Sequence, residues 1–357
     1  MMRSLLESVT LAFFSFIALL FSVSPTNAGE STAKFGVIDT KGRFVLQPKY
    51  PAVKPFTEGL AAVQLPNQKW GFIDLNGNFA IQPKFDGEPG LFSEGLCTIW
   101  VHNGRTFIDK TGAKPFDAVF ENACGFSEGL AAVELNNKWG YIDHSGRIKI
   151  APKFDYAWSF SEGLAGVKVD GKVGFINKCG AMVIPPKYYW TYCFQNGIAS
   201  VQYCALWRDS GVGWGVIDKT GKELIAPGLI MDGESISDGL YRTSPDASGK
   251  YGFCDSSGKL IIPKKFELDF AKSESSSGFT EGLAVVKVNG KFGYIDKTGK
   301  IVIEPQFDTA GSFGCGLADV SIHGRSGYID KTGRLVIPLR FKSAGTFWQQ
   351  RATVIVP

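Results

Sequence analysis

The segment Gly282-Leu-Ala-Val-Val-Lys-Val-Asn-Gly-Lys-Phe-Gly-Tyr-Ile-Asp-Lys-Thr-Gly-Lys-Ile-Val-Ile-Glu-Pro-Gln-Phe307 recurs in variant form from residue 34 to the C-terminus. It reads as three short strands. Leu283 to Val288 is apolar and Val-rich, a strand pattern. Asn289-Gly290 is the dipeptide of a two-residue type I′ hairpin, in which both positions need φ > 0. Lys291 to Ile295 is the second strand. In Asp296-Lys-Thr-Gly299 the Asp side chain can accept backbone N–H bonds and the Gly can turn left-handed. Ile301 to Ile303 is the third strand, which Pro305 ends by withholding a ladder donor. A linker from Phe307 to Phe313 leads to the next unit.

Two glycines carry the register. The first is that of Glu-Gly-Leu: Gly59, Gly95, Gly129, Gly163, Gly197, Gly239, Gly282 and Gly316, with a ninth copy at Gln349-Gln350-Arg351. The second precedes Ile-Asp: Gly36, Gly71, Gly140, Gly174, Gly215, Gly252, Gly293 and Gly327, with Thr106 in the third copy. A ground period of 34, stretched to 42 and 43 in two places, places insertions at loops of a nine-unit tandem array. Lys69-Trp-Gly71, Lys138-Trp-Gly140 and Trp214-Gly215, with downstream Gly-Phe/Tyr-Ile-Asp and Pro-Lys-Phe, resemble the signature of the WG-repeat family over residues 34 to 357. That resemblance implies a binding module and supplies no catalytic residues. The Trp position holds Phe35, Val173, Tyr251, Phe292 and Ser326 in other copies, so it wants bulk rather than an indole N–H.

The expected fold is all-β, tandem repeats of three-stranded antiparallel meanders. Residues 34 to 50 hold only the second and third strands of a unit, and 351 to 356 only a first. Together they complete one unit, which would remove both free edges. A propeller-like ring is therefore preferred, with an open β-solenoid or superhelix as the alternative. The third copy is degenerate: Arg105-Thr106 replaces Trp-Gly, and Ala118-Val119 stand where Pro-Lys usually stands. Insertions at Cys204 to Gly213 and Glu267 to Phe279 interrupt the later half.

Residues 1–28 read as a signal peptide: Arg3, an apolar core from Leu11 to Val23 that is short for a membrane span, and Thr26-Asn-Ala28 for cleavage. A mature WG-repeat β domain, 29–357, would then be exported, periplasmic or extracellular, with no membrane span. The formal charge of +4 is diffuse, with no basic stripe, which argues against nucleic acid. Seven cysteines at differing repeat positions, an odd number without Cys-x-x-Cys spacing, read as small buried hydrophobes before a disulfide framework.

The turn aspartates (Asp39, Asp74, Asp109, Asp143, Asp218, Asp255, Asp296, Asp330, with Asn177 in one copy) are too sparse for calcium, so they read as turn formers. Glu58, Glu94, Glu128, Glu162 and Glu281 recur in every such unit, which suits structure better than a glycosidase pair. His102, His144 and His323 lie at turns of different units. No catalytic, cofactor or metal residues are assigned. The informative departure is aromatic. Two linker positions that elsewhere hold small or polar residues become Tyr156 and Trp158, then Trp190 and Tyr192, with Trp207 in the following insertion. These five form the candidate ligand patch, expected to be exposed and suited to sugar stacking or peptide anchoring; local repacking is the competing reading. The expected function is an exported non-catalytic scaffold that binds a protein partner in the cell envelope or outside the cell. The alternatives are a glycan or cell-wall binding module and, more weakly, a hydrolase with its site in the irregular loops.

Overall fold

The computed structural model describes residues 34–204, 213–230, 238–267 and 278–357. The proposed signal segment and Trp207 lie outside them, as do most of the two insertions. The described residues form nine antiparallel sheets, seven of them four-stranded, one three-stranded and one two-stranded. The all-β tandem-repeat reading holds, with one addition. The linker contributes a two-residue edge strand, such as Asn122–Ala123, Tyr156–Ala157 or Thr309–Ala310, so a full unit is a four-stranded blade.

Each blade is a chain of tight turns. The Ser/Thr-Glu-Gly-Leu stretch is itself a two-residue hairpin: Glu128 and Gly129 have φ of 55° and 86°, closed by Ser127 N–H to Leu130 O at 2.9 Å. The next turn is the type I′ hairpin expected, with Asn289 and Gly290 at φ of 50° and 77°. In the third, Asp296 Oδ1 accepts the N–H groups of Thr298 and Lys300, at 2.9 and 3.1 Å. Asp39, Asp74, Asp109, Asp143, Asp218, Asp255 and Asp330 are used alike, and Asn177 substitutes its amide oxygen.

The glycine of Trp-Gly and the proline of Pro-Lys-Phe answer to one cause. The last long strand, Ile148–Phe154, bulges against Lys138–Ile142: Tyr141 pairs with Ile150, and Trp139 pairs with Phe154. The bulge drives the strand's backbone inward, so a Cβ on Gly140 would lie 2.5 Å from Ile150 O and 2.7 Å from Pro152 N. The same approach recurs at Gly71, Gly174, Gly293 and Gly327. Pro needs no partner at the bulge, and it blunts an edge strand. The Trp position then faces the aromatic that ends the strand: Trp70 with Phe85, Tyr251 with Phe266, Phe292 with Phe307. Bulk is what it supplies, and Val173 opposite Tyr188 and Ser326 opposite Phe341 are its smaller versions.

The third copy follows the same logic in reverse. With Thr106 in place of Gly, the sheet keeps the strands Leu96–Val101 and Gly104–Asp109, and of the outer strand the Arg105–Phe120 bridge. Thr106 Oγ1 instead donates to Ala118 O at 2.7 Å. Phe116 takes the place of the missing strand's isoleucine, against Phe107 and beneath Gly146.

The chain divides into two compact groups, one centred on Phe56–Tyr203 and one on Thr32–Pro55 with Glu223–Pro357. Within the first, hydrophobic cores lie between consecutive blades, as where Trp139, Tyr141 and Phe154 meet Phe160, Val167 and Ile176. A recurrent ring pair links the blade to its linker: Tyr141–Phe160 at 4.8 Å and Phe175–Phe194 at 4.9 Å. Within the second, Tyr294–Phe313 and Tyr328–Phe347 repeat it at 5.0 and 4.7 Å. There too the chain ends meet. Phe35–Asp39 pairs over its whole length with Arg351–Ile355, in the sheet that also holds Phe44–Tyr50 and Ser343–Ala344. Of the two fold alternatives, the propeller-like one is the one found.

Candidate functional site

The most regular polar groups are consumed by the framework. Each Glu of Ser/Thr-Glu-Gly-Leu sits at positive φ and reaches the next blade, where it accepts the N–H of the equivalent glycine. Glu58 accepts from Gly95 and Glu128 from Gly163, both at 3.0 Å, and Glu162 from Gly197 at 2.8 Å. Lys110, Lys178 and Lys219 close ion pairs on the same carboxylates at 3.0–3.1 Å, and His144 stands in for lysine at Glu94. In the second group Asp238 and Glu281 do the same for Gly282 and Gly316. Cys315 departs from this pattern, offering its sulfur to Gln350 N–H at 3.4 Å. The structural reading of these carboxylates holds.

What varies is one cross-strand pair per blade. In most blades the residue after the short edge strand, or Gly90 in the third copy, donates its N–H to the third residue of the adjacent strand's Leu-Ala-x-Val pattern. The pairs are Gly90–Thr98, Cys124–Ala132, Trp158–Gly166, Tyr192–Ser200, Gly311–Asp319 and Gly345–Thr353, at 2.8–3.0 Å. Their sizes compensate. A Cβ on Gly166 would meet Trp158 Cε3 at 3.3 Å, one on Gly90 would meet Thr98 Oγ1 at 2.4 Å, and one on Gly311 would meet Asp319 Oδ1 at 2.2 Å. Only one member of each pair is large.

This pairing corrects part of the aromatic expectation. Trp158 is 6% exposed and belongs to a core with Val173, Phe175 and Tyr188, because Gly166 leaves room for its indole. Its carbonyl accepts the Tyr141 hydroxyl at 2.7 Å. Tyr156, in contrast, is 37% exposed, and Trp190 and Tyr192 are half-buried. The rings do come together: Tyr156–Trp158 at 4.7 Å and Trp158–Trp190 at 5.2 Å, both edge-to-face, with Trp139 at 5.0 Å from Tyr156. Trp158 is thus the buried keystone of a run whose outer members are Tyr156 and Trp190. Burial pushes the Tyr156 hydroxyl up to about 12, so it is a neutral hydrogen-bonding group.

Asp319 is the one acidic member of the variable pairs. Burial pushes its carboxyl up to about 7, relieved only by its own backbone and by Thr346 Oγ1 at 3.5 Å. Among the described residues the seven cysteines form no disulfide. Cys97 and Cys254 are buried as expected, Cys179 and Cys315 are exposed, and burial raises the Cys124 and Cys193 thiols to about 11 and 12. Among the described residues no three His, Cys, Asp or Glu side chains gather as a metal set, and no helix is long and apolar enough to cross a membrane.

The sequence reading passed over the degenerate third copy as a site. An open groove of about 390 Å³ runs between the end of strand Phe79–Phe85 and this copy's short sheet, lined by Lys84, Ile99, Trp100, His102, Ile108 and Lys114 among others. The signal was present in Arg105-Thr106, which marks a blade that cannot complete itself.

Nine matches to the model of the WG containing repeat run through residues 35–70, 70–99, 106–139, 139–172, 174–207, 214–230, 251–292, 292–325 and 327–354. No curated protein matches the chain. Similar solved structures include BamB from Moraxella catarrhalis, 11% identical, covering 91% of this chain and 99% of that one with a TM-score of 0.47. The computationally designed Ika8 protein is also 11% identical, with 80% and 95% coverage and a TM-score of 0.44.

Proposed function

The chain belongs to the WG-repeat family, and from that premise we propose that it is an exported, non-catalytic scaffold that binds a protein partner in the cell envelope or outside the cell. The observation that carries this reading is the contrast within each blade. Turns, inter-blade carboxylates and ring pairs repeat, whereas one cross-strand pair runs from Gly to Trp, Tyr, Cys and Asp. A rigid frame that varies at one register is suited to recognition, since side chains are presented without a cost of ordering the backbone. Occupation of the repeated carboxylates by backbone N–H groups and lysines favours binding over hydrolysis. Export rests on the character of residues 1–28. The test is affinity capture and cross-linking from the native host's envelope fraction with wild type and with the Tyr156→Ala/Trp190→Ala variant. A partner retained by the first and lost by the second, at unchanged thermal stability, supports the reading. Retention of every captured protein by both removes this face from it.

A glycan or cell-wall ligand is the second reading. Tyr156 and Trp190 favour it, half-open rings fixed by a buried third ring, as sugar stacking needs. Sedimentation with purified peptidoglycan separates the two.

A further inference from the structure

We propose that the groove of the third repeat is a binding site for an acidic saccharide, held by the indole of Trp100, by the cationic side chains of Lys114 and Lys84, and by the imidazole of His102. This groove belongs to a different repeat from the Tyr156–Trp190 face and needs no protein partner.

The groove lies between the end of strand Phe79–Phe85 on one side and the two-stranded sheet of the third copy, with Ile99 and Ile108, on the other. Its volume, about 390 Å³, falls in the range of small-molecule sites, about 300–1,000 Å³. Trp100 is 41% exposed, large for an indole on a strand. It is nonetheless held in place. The Arg105 guanidinium lies 4.1 Å from the ring centroid, and Gly87 packs so near that a Cβ there would come to 2.5 Å from Trp100 Cβ. A ring fixed on one side and open on another is what stacking on a sugar's apolar face requires.

The charge around it is unbalanced. Lys114 and His102 are exposed at the groove and make no hydrogen bond or ion pair among the described residues, and Lys84 makes a long contact to Gly112 O at 3.4 Å besides lying over the Phe85 ring. The acidic lining residue, Asp86, is engaged by Lys69. Lysine presents a point charge that pairs with a carboxylate or a phosphate, and Arg105 is spent on the indole and on Thr98 Oγ1. With an open indole beside those charges, the groove suits an anionic sugar.

Isothermal titration of the mature protein with trigalacturonic acid, maltotriose and ATP tests this. The expected result is binding of trigalacturonic acid that weakens as salt is raised, with maltotriose at least tenfold weaker. Trp100→Ala should weaken trigalacturonic acid binding about tenfold or more, and Lys114→Gln several-fold. Should Trp100→Ala fail to fold, the surface double variant Lys114→Gln/His102→Gln carries the test alone. No heat at millimolar trigalacturonic acid, binding indifferent to these variants, or ATP bound as well as the trisaccharide would each overturn the assignment.

Discussion

Trp158 lies across Gly166, the two joined by a 3.0 Å backbone hydrogen bond, and the indole occupies the space that a side chain on Gly166 would need. Position 158 is therefore large only because position 166 is empty. Trp158→Ala should cost about 3–5 kcal/mol, the range for a truncated core aromatic, whereas Tyr156→Ala should cost about 0.5. Gly166→Val should also destabilise, since its Cβ would meet Thr191 Cγ2 at 2.8 Å as well as the indole. Urea titration of the three variants gives the comparison; equal losses for Trp158 and Tyr156 would contradict it.

Gly140→Ala should unfold or loosen its blade, because the new methyl carbon would sit 2.5 Å from Ile150 O, a backbone atom held in the bulge. A loss of about 2–4 kcal/mol is expected, in the range of strained or overpacked sites. Hydrogen exchange should localise the loosening to Ile148–Phe154. Uniform exchange across the chain would argue against the bulge as the reason for glycine.

Glu128 links two blades through Gly163 N–H and Lys178. Glu128→Ala should cost about 1–2 kcal/mol, most of it the orphaned N–H rather than the exposed ion pair. Glu128→Gln keeps an acceptor and should recover about half. A double-mutant cycle with Lys178→Met is expected to give a coupling below about 1 kcal/mol. Conversely, Cys315→Glu should stabilise the chain by a few tenths to about 1 kcal/mol by restoring a full acceptor for Gln350 N–H.

Asp319 makes stability depend on pH with a known sign. Its folded-state value is raised to about 7 from the ordinary 3.8, so the folded chain binds the proton more tightly than the unfolded chain. Its contribution therefore worsens as pH rises between those values and is then constant. Asp319→Asn should raise the thermal midpoint at pH 8 by more than at pH 5. The turn aspartates act oppositely. Asp330, held down to about 2 by Thr332, Arg334 and backbone N–H groups, contributes stability above 3.8 that is lost as pH falls towards 2. A thermal difference between wild type and Asp319→Asn that is the same at both pH values would remove the buried-carboxylate account.

The Asn289-Gly290 hairpin and the aspartate turns were legible in the sequence because each depends on residues within five positions of one another, and the nine-unit period because those local signatures recur. The pairing of the chain ends was legible from complementary strand counts. The two-residue edge strands were not, since so short a run has no alternation to detect. Nor was the burial of Trp158. A tryptophan at a position that is elsewhere small looks exposed until its neighbour across the strands, eight residues on, is seen to be glycine. The Glu-to-Gly ties join residues 35–37 apart, and the sequence shows the recurrence but not the contact.

The sheet that joins Phe35–Asp39 to Arg351–Ile355 also sets an order of events during synthesis. Complete blades such as Tyr156–Tyr188 are built from contiguous stretches and can pair soon after they leave the ribosome. The sheet containing residue 35 must wait for residue 355. Until then Phe35–Asp39 has one open edge throughout translation, with Val37 and Ile38 not yet covered as they are in the finished fold, where both are fully buried. The cost of closing so long a loop grows only logarithmically with its length, so the penalty is one of time rather than stability. The nascent chain carries a templating edge for as long as its own last strand is unmade, and that interval is when a chaperone or a neighbouring nascent chain competes for it.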